Sequence, residues 1–189
     1  MRISGKMTTG LLLIDFQAGF HAPIWGARNN PDAEAHAARL LEAWRGRGAP
    51  VMHVRHLSQD RSSPLTGDGT AWVDGLAPQA GEARFDKHVN SAFIGTGLEA
   101  HLRGAGIGAL VVAGLTTPHC VSTSCRMAAN LGFDVILAHE ACAAFDTSAN
   151  TSWLADAGTI PAQQAHDMAV SHLHGEFLQA RATAQILAA

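Results

Sequence analysis

The stretch Leu110-Val111-Val112-Ala113-Gly114-Leu115-Thr116-Thr117-Pro118-His119-Cys120-Val121-Ser122-Thr123-Ser124-Cys125-Arg126-Met127-Ala128 decides the fold. It opens on an unbroken apolar run, the pattern of a strand covered on both faces. A Gly/Thr turn follows, then an alanine-rich amphipathic segment that ends near Gly132. Strand, tight turn and helix in that order present a reactive group at the carboxyl edge of an α/β sheet. Thr117 suits an N-cap, and Pro118 suits a first helical turn, where its missing N–H would have had no partner. On that frame Cys120 is the third residue of a helix, inside the positive end of the dipole, a place that favours thiolate over thiol.

Working outward, Gly10-Leu11-Leu12-Leu13-Ile14 is a second continuous apolar run and stops abruptly at Asp15. A carboxylate there also serves as an ordinary N-cap or turn former. Beyond Pro31 the apolar residues Ala35, Ala38, Leu41 and Trp44 recur at helical spacing until Gly48, and Pro50 to Arg55 reads as the next strand. Residues 57–82 have no periodicity and several Gly and Pro, so they form a long connection of the kind that carries function. Phe85 to His88 predicts a short strand, Thr96 or Gly95 starts a helix closed by Gly104, and Ile107 to Ala113 leads into the opening stretch. Asp134 to Ala138 is a further strand. A helix is expected around Thr151 to Ala157, a longer one from Pro161 to His174-Gly175, a short strand at Phe177 to Gln179 and a weak terminal helix from Ala182. The alternation predicts an α/β, Rossmann-like three-layer α-β-α sandwich with five or six mostly parallel strands. With no repeat, low-complexity tract or linker, a single domain over residues 1–189 is expected.

The 189 residues are 47% hydrophobic with a formal charge of −3. That is enough for a well-filled core, and it carries no electrostatic footprint for nucleic acid or an anionic membrane. The apolar run after Met1 to Thr9 is too short for a signal-peptide core, and no run approaches the ~20 residues needed to span a bilayer. Cys120, Cys125 and Cys142 form neither a disulfide framework nor a CxxC pair, which points to a reduced, cytoplasmic setting.

Asp15, Lys87 and Cys120 each end a predicted strand, so a parallel sheet can bring them to one edge. Together they make coherent chemistry. The carboxylate takes the thiol proton and returns it to a leaving amine, the ammonium favours the thiolate, and the sulfur attacks a carbonyl to give an acyl-enzyme. Singly, each has a plainer reading: a core cysteine, a solvated lysine, a capping aspartate.

Leu13-Ile14-Asp15-Phe16-Gln17, then Lys87 with Ser91-Ala92-Phe93, then Gly114 to Val121 with Arg126 beyond, resembles the isochorismatase-like cysteine hydrolase superfamily, which includes nicotinamidases and N-carbamoylsarcosine amidohydrolase. The similarity runs from about residue 10 to about residue 178. It implies Asp15 as general base, Lys87 as supporting cation and Cys120 as nucleophile. It further implies a cis peptide at Leu115–Thr116, an oxyanion hole made by the Thr116 and Cys120 amides, and a homo-oligomer, dimer or tetramer. Pro118 stands where many members have Asp or Asn, Ser124 replaces a common Thr, and His88 stands where a small residue is frequent.

Gln17, Phe20, Trp25, Thr117 and Phe145 are candidate substrate-binding residues, with Trp72 a further possible wall. No cofactor and no metal are expected. His53 and His56 face opposite sides of a strand, and the Asp-x-His metal motif of nicotinamidases is missing. Gly104 to Gly108 precedes a strand, so it reads as a helix stop, not a phosphate loop. The expected function is C–N bond hydrolysis of a small amide or ureide through an acyl-enzyme on Cys120. The alternatives are ether hydrolysis of the isochorismatase type and a non-catalytic thiol-sensing binding protein.

Overall fold

The computed structural model describes residues 8–189; residues 1–7, on which the signal-peptide reading partly rests, lie outside the described part. Six strands are formed: β1 (Thr8–Ile14), β2 (Val51–His56), β3 (Ala83–Lys87), β4 (Ile107–Leu115), β5 (Asp134–Ala143) and β6 (Gln179–Arg181). They lie in the order β3-β2-β1-β4-β5-β6, every neighbouring pair parallel. Five α-helices accompany them: α1 (Ala33–Gly46), α2 (Leu98–Gly104), α3 (Ser122–Asn130), α4 (Ala162–Ser171) and α5 (Thr183–Leu187).

The unbroken apolar run of β1 follows from burial on both faces. Leu11 and Leu13 point to one side, against Ala37, Leu40, Leu41 and Trp44 of α1 and Ile186 of α5. Leu12 and Ile14 point to the other, against Leu98 and Leu102 of α2 and Cys125 and Ala128 of α3. Each fully buried leucine contributes roughly 1.5–3 kcal/mol, so no position of this strand tolerates a polar residue cheaply. The chain winds outward from β1 through β2 to β3, then returns to the far side of β1 with β4. The carboxyl ends of β1 and β4 are therefore the point where the winding reverses, the usual ligand crevice of such a sheet. Gly114 permits the approach there. Its φ is 155°, and a Cβ on it would run into the carbonyl oxygen of Ile14.

Several expectations are corrected. No helix forms at Thr151 to Ala157. Asn150 Oδ1 accepts the Ser152 N–H at 2.9 Å, a local turn bond that competes with a helix, and Asp156 adopts φ 60°. Trp153 and Leu154, the large apolar residues of this stretch, are 80% and 51% exposed. The last strand starts at Gln179, not Phe177, because the Phe177 and Leu178 amides are held by the Leu173 carbonyl. β5 runs on to Ala143, and α2 begins only at Leu98.

The loops after β1 and β2 interlock. The Ala18 amide donates to the Ala71 carbonyl and the Val73 amide to the Phe16 carbonyl. Gly19 and Gly69 close on the Pro64 carbonyl from two sides, where a side chain on either would collide with it. Among the described residues no helix is long and apolar enough to cross a membrane.

Candidate active site

Three strand ends supply the site. Asp15 follows β1, is fully buried and takes φ 56°, a region few non-glycine residues occupy. Its amide still donates to the Val54 carbonyl, so the chain turns while the ladder continues. Lys87 is the last residue of β3, with a fully buried side chain. After β4 the Leu115–Thr116 peptide is cis, and the chain makes one wide turn, Thr117–Val121, before α3 begins. Within it the Val121 amide reaches back five residues to the Thr116 carbonyl, at 3.3 Å. Cys120 thus sits in a widened turn and not at the third position of a regular α-helix. Thr117 does not cap: its hydroxyl pairs with Nδ1 of His166 on α4 at 2.8 Å.

The Lys87 ammonium is the hub. Its Nζ lies 2.7 Å from Asp15 Oδ2, 3.0 Å from His56 Nδ1 and 3.2 Å from Cys120 Sγ. The His56 and Cys120 contacts are hydrogen bonds, and the Asp15 contact is an ion pair whose carboxylate oxygens receive no aligned donor. Accepting at Nδ1 leaves the proton of a neutral His56 on Nε2. Burial and then the neighbouring Lys87 charge push His56 down to about 4, so the ring is neutral around pH 7.

Burial raises the Asp15 carboxyl above its usual range, with Lys87 pulling the other way. Burial, reinforced by the Asp15 charge, pushes the Cys120 thiol up to about 12, although Lys87 opposes the rise. The free site therefore holds a protonated thiol, against the expectation from a helix dipole. Desolvation outweighs any dipole here.

A cavity of about 350 Å³ opens onto Cys120. Phe20, Trp25 and Leu65 form its apolar wall, and His56, Ser63, Asn90, Thr116 and His119 its polar one. Of the candidate binding residues, Phe20 and Trp25 line it, with ring centroids 5.3 Å apart. Phe145 stands behind, stacked on Phe20 at 6.0 Å and buried. Gln17 is fully buried and braces the backbone of His56, donating from Nε2 to its carbonyl at 2.9 Å and accepting its amide at 2.8 Å. Thr117 is likewise turned away. Gln17, Thr117 and Phe145 are supports and not walls. Trp72 packs edge-on against His53 and under the Arg55 guanidinium, away from the cavity, and His88 turns outward to the Leu57 carbonyl.

His56, Asn90 and His119 were not anticipated as site residues. Strand alternation does separate His53, which pairs with Glu82 at 2.9 Å, from His56. The usable signal was the register, since His56 is the direct neighbour of Lys87 on the parallel strand. Ligand atoms of Asp15, His56 and Cys120 all lie within 4.8 Å of one another, a donor set that would suit zinc. The Lys87 ammonium already stands among them, ion-paired with Asp15 and hydrogen-bonded to His56 and Cys120.

Residues 9–183 match the family model described as Isochorismatase domain. The isochorismatase family protein YrdC of Bacillus subtilis is 39% identical over 94% of this chain and 93% of its own length. A crystal structure of an isochorismatase-family protein from Chromobacterium violaceum superposes with a TM-score of 0.90 at 43% identity, over 100% of this chain and 95% of that one. The maleamate amidohydrolase of Pseudomonas putida is 32% identical over 74% of both chains.

Proposed function

Because the chain belongs to the isochorismatase family of hydrolases, we propose that it hydrolyses a C–N bond of a small amide or ureide through a thioester on Cys120. The observation that carries this reading is the contact set of Lys87, which holds a carboxylate and a thiol against one ammonium beneath a cavity that opens onto Cys120. The amidohydrolase relative supports the choice of bond.

At rest the thiol is protonated. When a substrate carbonyl settles over Cys120, Asp15 accepts the thiol proton as sulfur adds to the carbonyl carbon, and the Lys87 ammonium offsets the sulfur's developing charge. The Thr116 and Cys120 amides stabilise the oxyanion. Collapse breaks the C–N bond, and the nitrogen leaves with the proton held on Asp15. Water then enters, gives a proton back to the Asp15 carboxylate and attacks the thioester. The acid product departs and the proton returns to sulfur. A buried carboxyl with a raised proton affinity suits this alternation of base and acid. Three unpaired thiols fit work in a reducing compartment such as the cytoplasm.

Assaying ammonia release from a panel of small amides and ureides with wild type and Cys120→Ala tests the proposal. Turnover that needs Cys120 supports it. Full activity in the variant excludes the thioester, and ammonia from none of the panel excludes the C–N reading.

A further inference from the structure

We infer that the cavity above Cys120 takes uncharged substrates and discriminates against those that carry a carboxylate. For the word substrate the inference rests on the hydrolase reading; for the cavity's charge preference it stands by itself.

Beneath Cys120 the carboxylate of Asp15 is paired with the ammonium of Lys87, with no net charge between them, and neither residue lines the cavity. Lys87 is paired with the Asp15 carboxylate and gives hydrogen bonds to His56 and Cys120, so its charge is already compensated. Among the described residues no Lys or Arg lines the cavity. The remaining donors are neutral or already engaged. The Trp25 indole N–H is given to the Gly19 carbonyl at 2.8 Å, so that residue offers only its ring face. The Ser63 hydroxyl oxygen accepts the Leu65 amide, which leaves its O–H as a neutral donor. His119 shares its Nδ1 with the Thr116 hydroxyl at 3.0 Å, and burial lowers its proton affinity.

What is left for a ligand is neutral: the Asn90 side-chain NH₂, the Ser63 hydroxyl, the imidazole edges of His56 and His119 and the backbone amides of Thr116 and Cys120, facing an apolar wall. Such groups match the donors and acceptors of a carboxamide or urea. A carboxylate entering here would lose its hydration, meet the Asp15 charge and find no cation free to pair with it, which is a heavy cost in a partly closed site. The maleamate amidohydrolase relative acts on an anion by its name; this lining favours a different choice.

The first arm of the test needs no turnover. Cys120 is alkylated with iodoacetamide and, separately, with iodoacetate, and peptide mass spectrometry reads modification at Cys120 apart from Cys125 and Cys142. The rate ratio of neutral to anionic reagent, divided by the same ratio for glutathione, is expected to be at least tenfold. It should fall severalfold in Ser63→Arg, which places a cation at the cavity wall. A normalised ratio near one, or one that favours iodoacetate, overturns the inference. The second arm compares ammonia release from maleamide and maleamate. Preference for maleamide supports the inference and preference for maleamate overturns it. Ammonia from neither counts against the hydrolase reading, and the alkylation ratio then decides the charge preference.

Discussion

Two cavities flank the Thr117–Val121 turn, and the proposed chemistry is assigned to the smaller one. On one side Thr116, His119 and Cys120 face the space of about 350 Å³ above the Lys87 hub. On the other, Pro118, Ser122 and Arg126 face a groove of about 450 Å³ closed by Ala165, Met168 and Ala169 of α4. The groove has more room but no carboxylate, thiol or ammonium in contact with one another. The smaller space has all three within hydrogen-bonding reach. Arrangement of charge, not volume, separates a reactive site from a surface hollow. The contrast also accounts for Pro118: it turns toward the groove, so its departure from the Asp or Asn common in the family does not touch the cavity above Cys120.

Four experiments press on this contrast. Cys120→Ala should lower kcat/KM by about 10⁴-fold or more while leaving the thermal transition near that of the wild type; a smaller loss would break the assignment of chemistry to the smaller cavity. Asp15→Asn should cost roughly 10²- to 10⁴-fold in kcat. In the wild type the working form of Asp15 is the carboxylate, and burial raises its pKa. Activity should therefore fall with decreasing pH at a midpoint above the ordinary 3.8. A pH profile flat down to that value would remove Asp15 as the base.

The third experiment concerns His166, which joins the two sides by holding Thr117 from α4 and whose proton affinity burial lowers to about 4. In the unfolded chain it titrates near 6.5, so between the two values only the unfolded state takes the proton, and stability drains away as pH falls from 6.5 toward 4. His166→Gln should lose less over that interval, by about 2 kcal/mol once residual solvent is allowed for. Melting curves at several pH values would show parallel lines if the histidine has no such role. Last, Met168→Ala in the groove should leave kcat/KM within about twofold, since this half-exposed side chain touches none of the reacting groups. A larger change would draw the groove into function.

The same division governs what could be read in advance. The meeting of Asp15, Lys87 and Cys120 was legible because each lies at or shortly beyond the carboxyl end of a strand, and a parallel sheet brings those ends to one edge. Gln17, Thr117 and Phe145 were legible as neighbours of the site but not as supports, because a side chain's direction at a turn depends on partners far along the chain. His166 lies 49 positions from the Thr117 hydroxyl it meets. Asn90 and His119 sit on turns after β3 and β4, where no periodicity reports which way a residue faces. The cysteine's protonation ran against the local dipole because burial, a property of the whole fold, is the stronger influence. Exposed Trp153 and Leu154 show the converse: apolar composition without a surface to cover makes no helix.

The order of strands has one more consequence, which concerns synthesis. A ribosome delivers β1, β2 and β3 first, and with them Asp15, His56 and Lys87; Cys120 emerges only after β4. The sheet joins these halves at a single seam, β1 against β4. A chain stalled before the seam carries charges without sulfur, and a fragment from beyond it carries sulfur without a base or a cation. The full set of groups proposed for catalysis therefore meets only once β4 has joined β1.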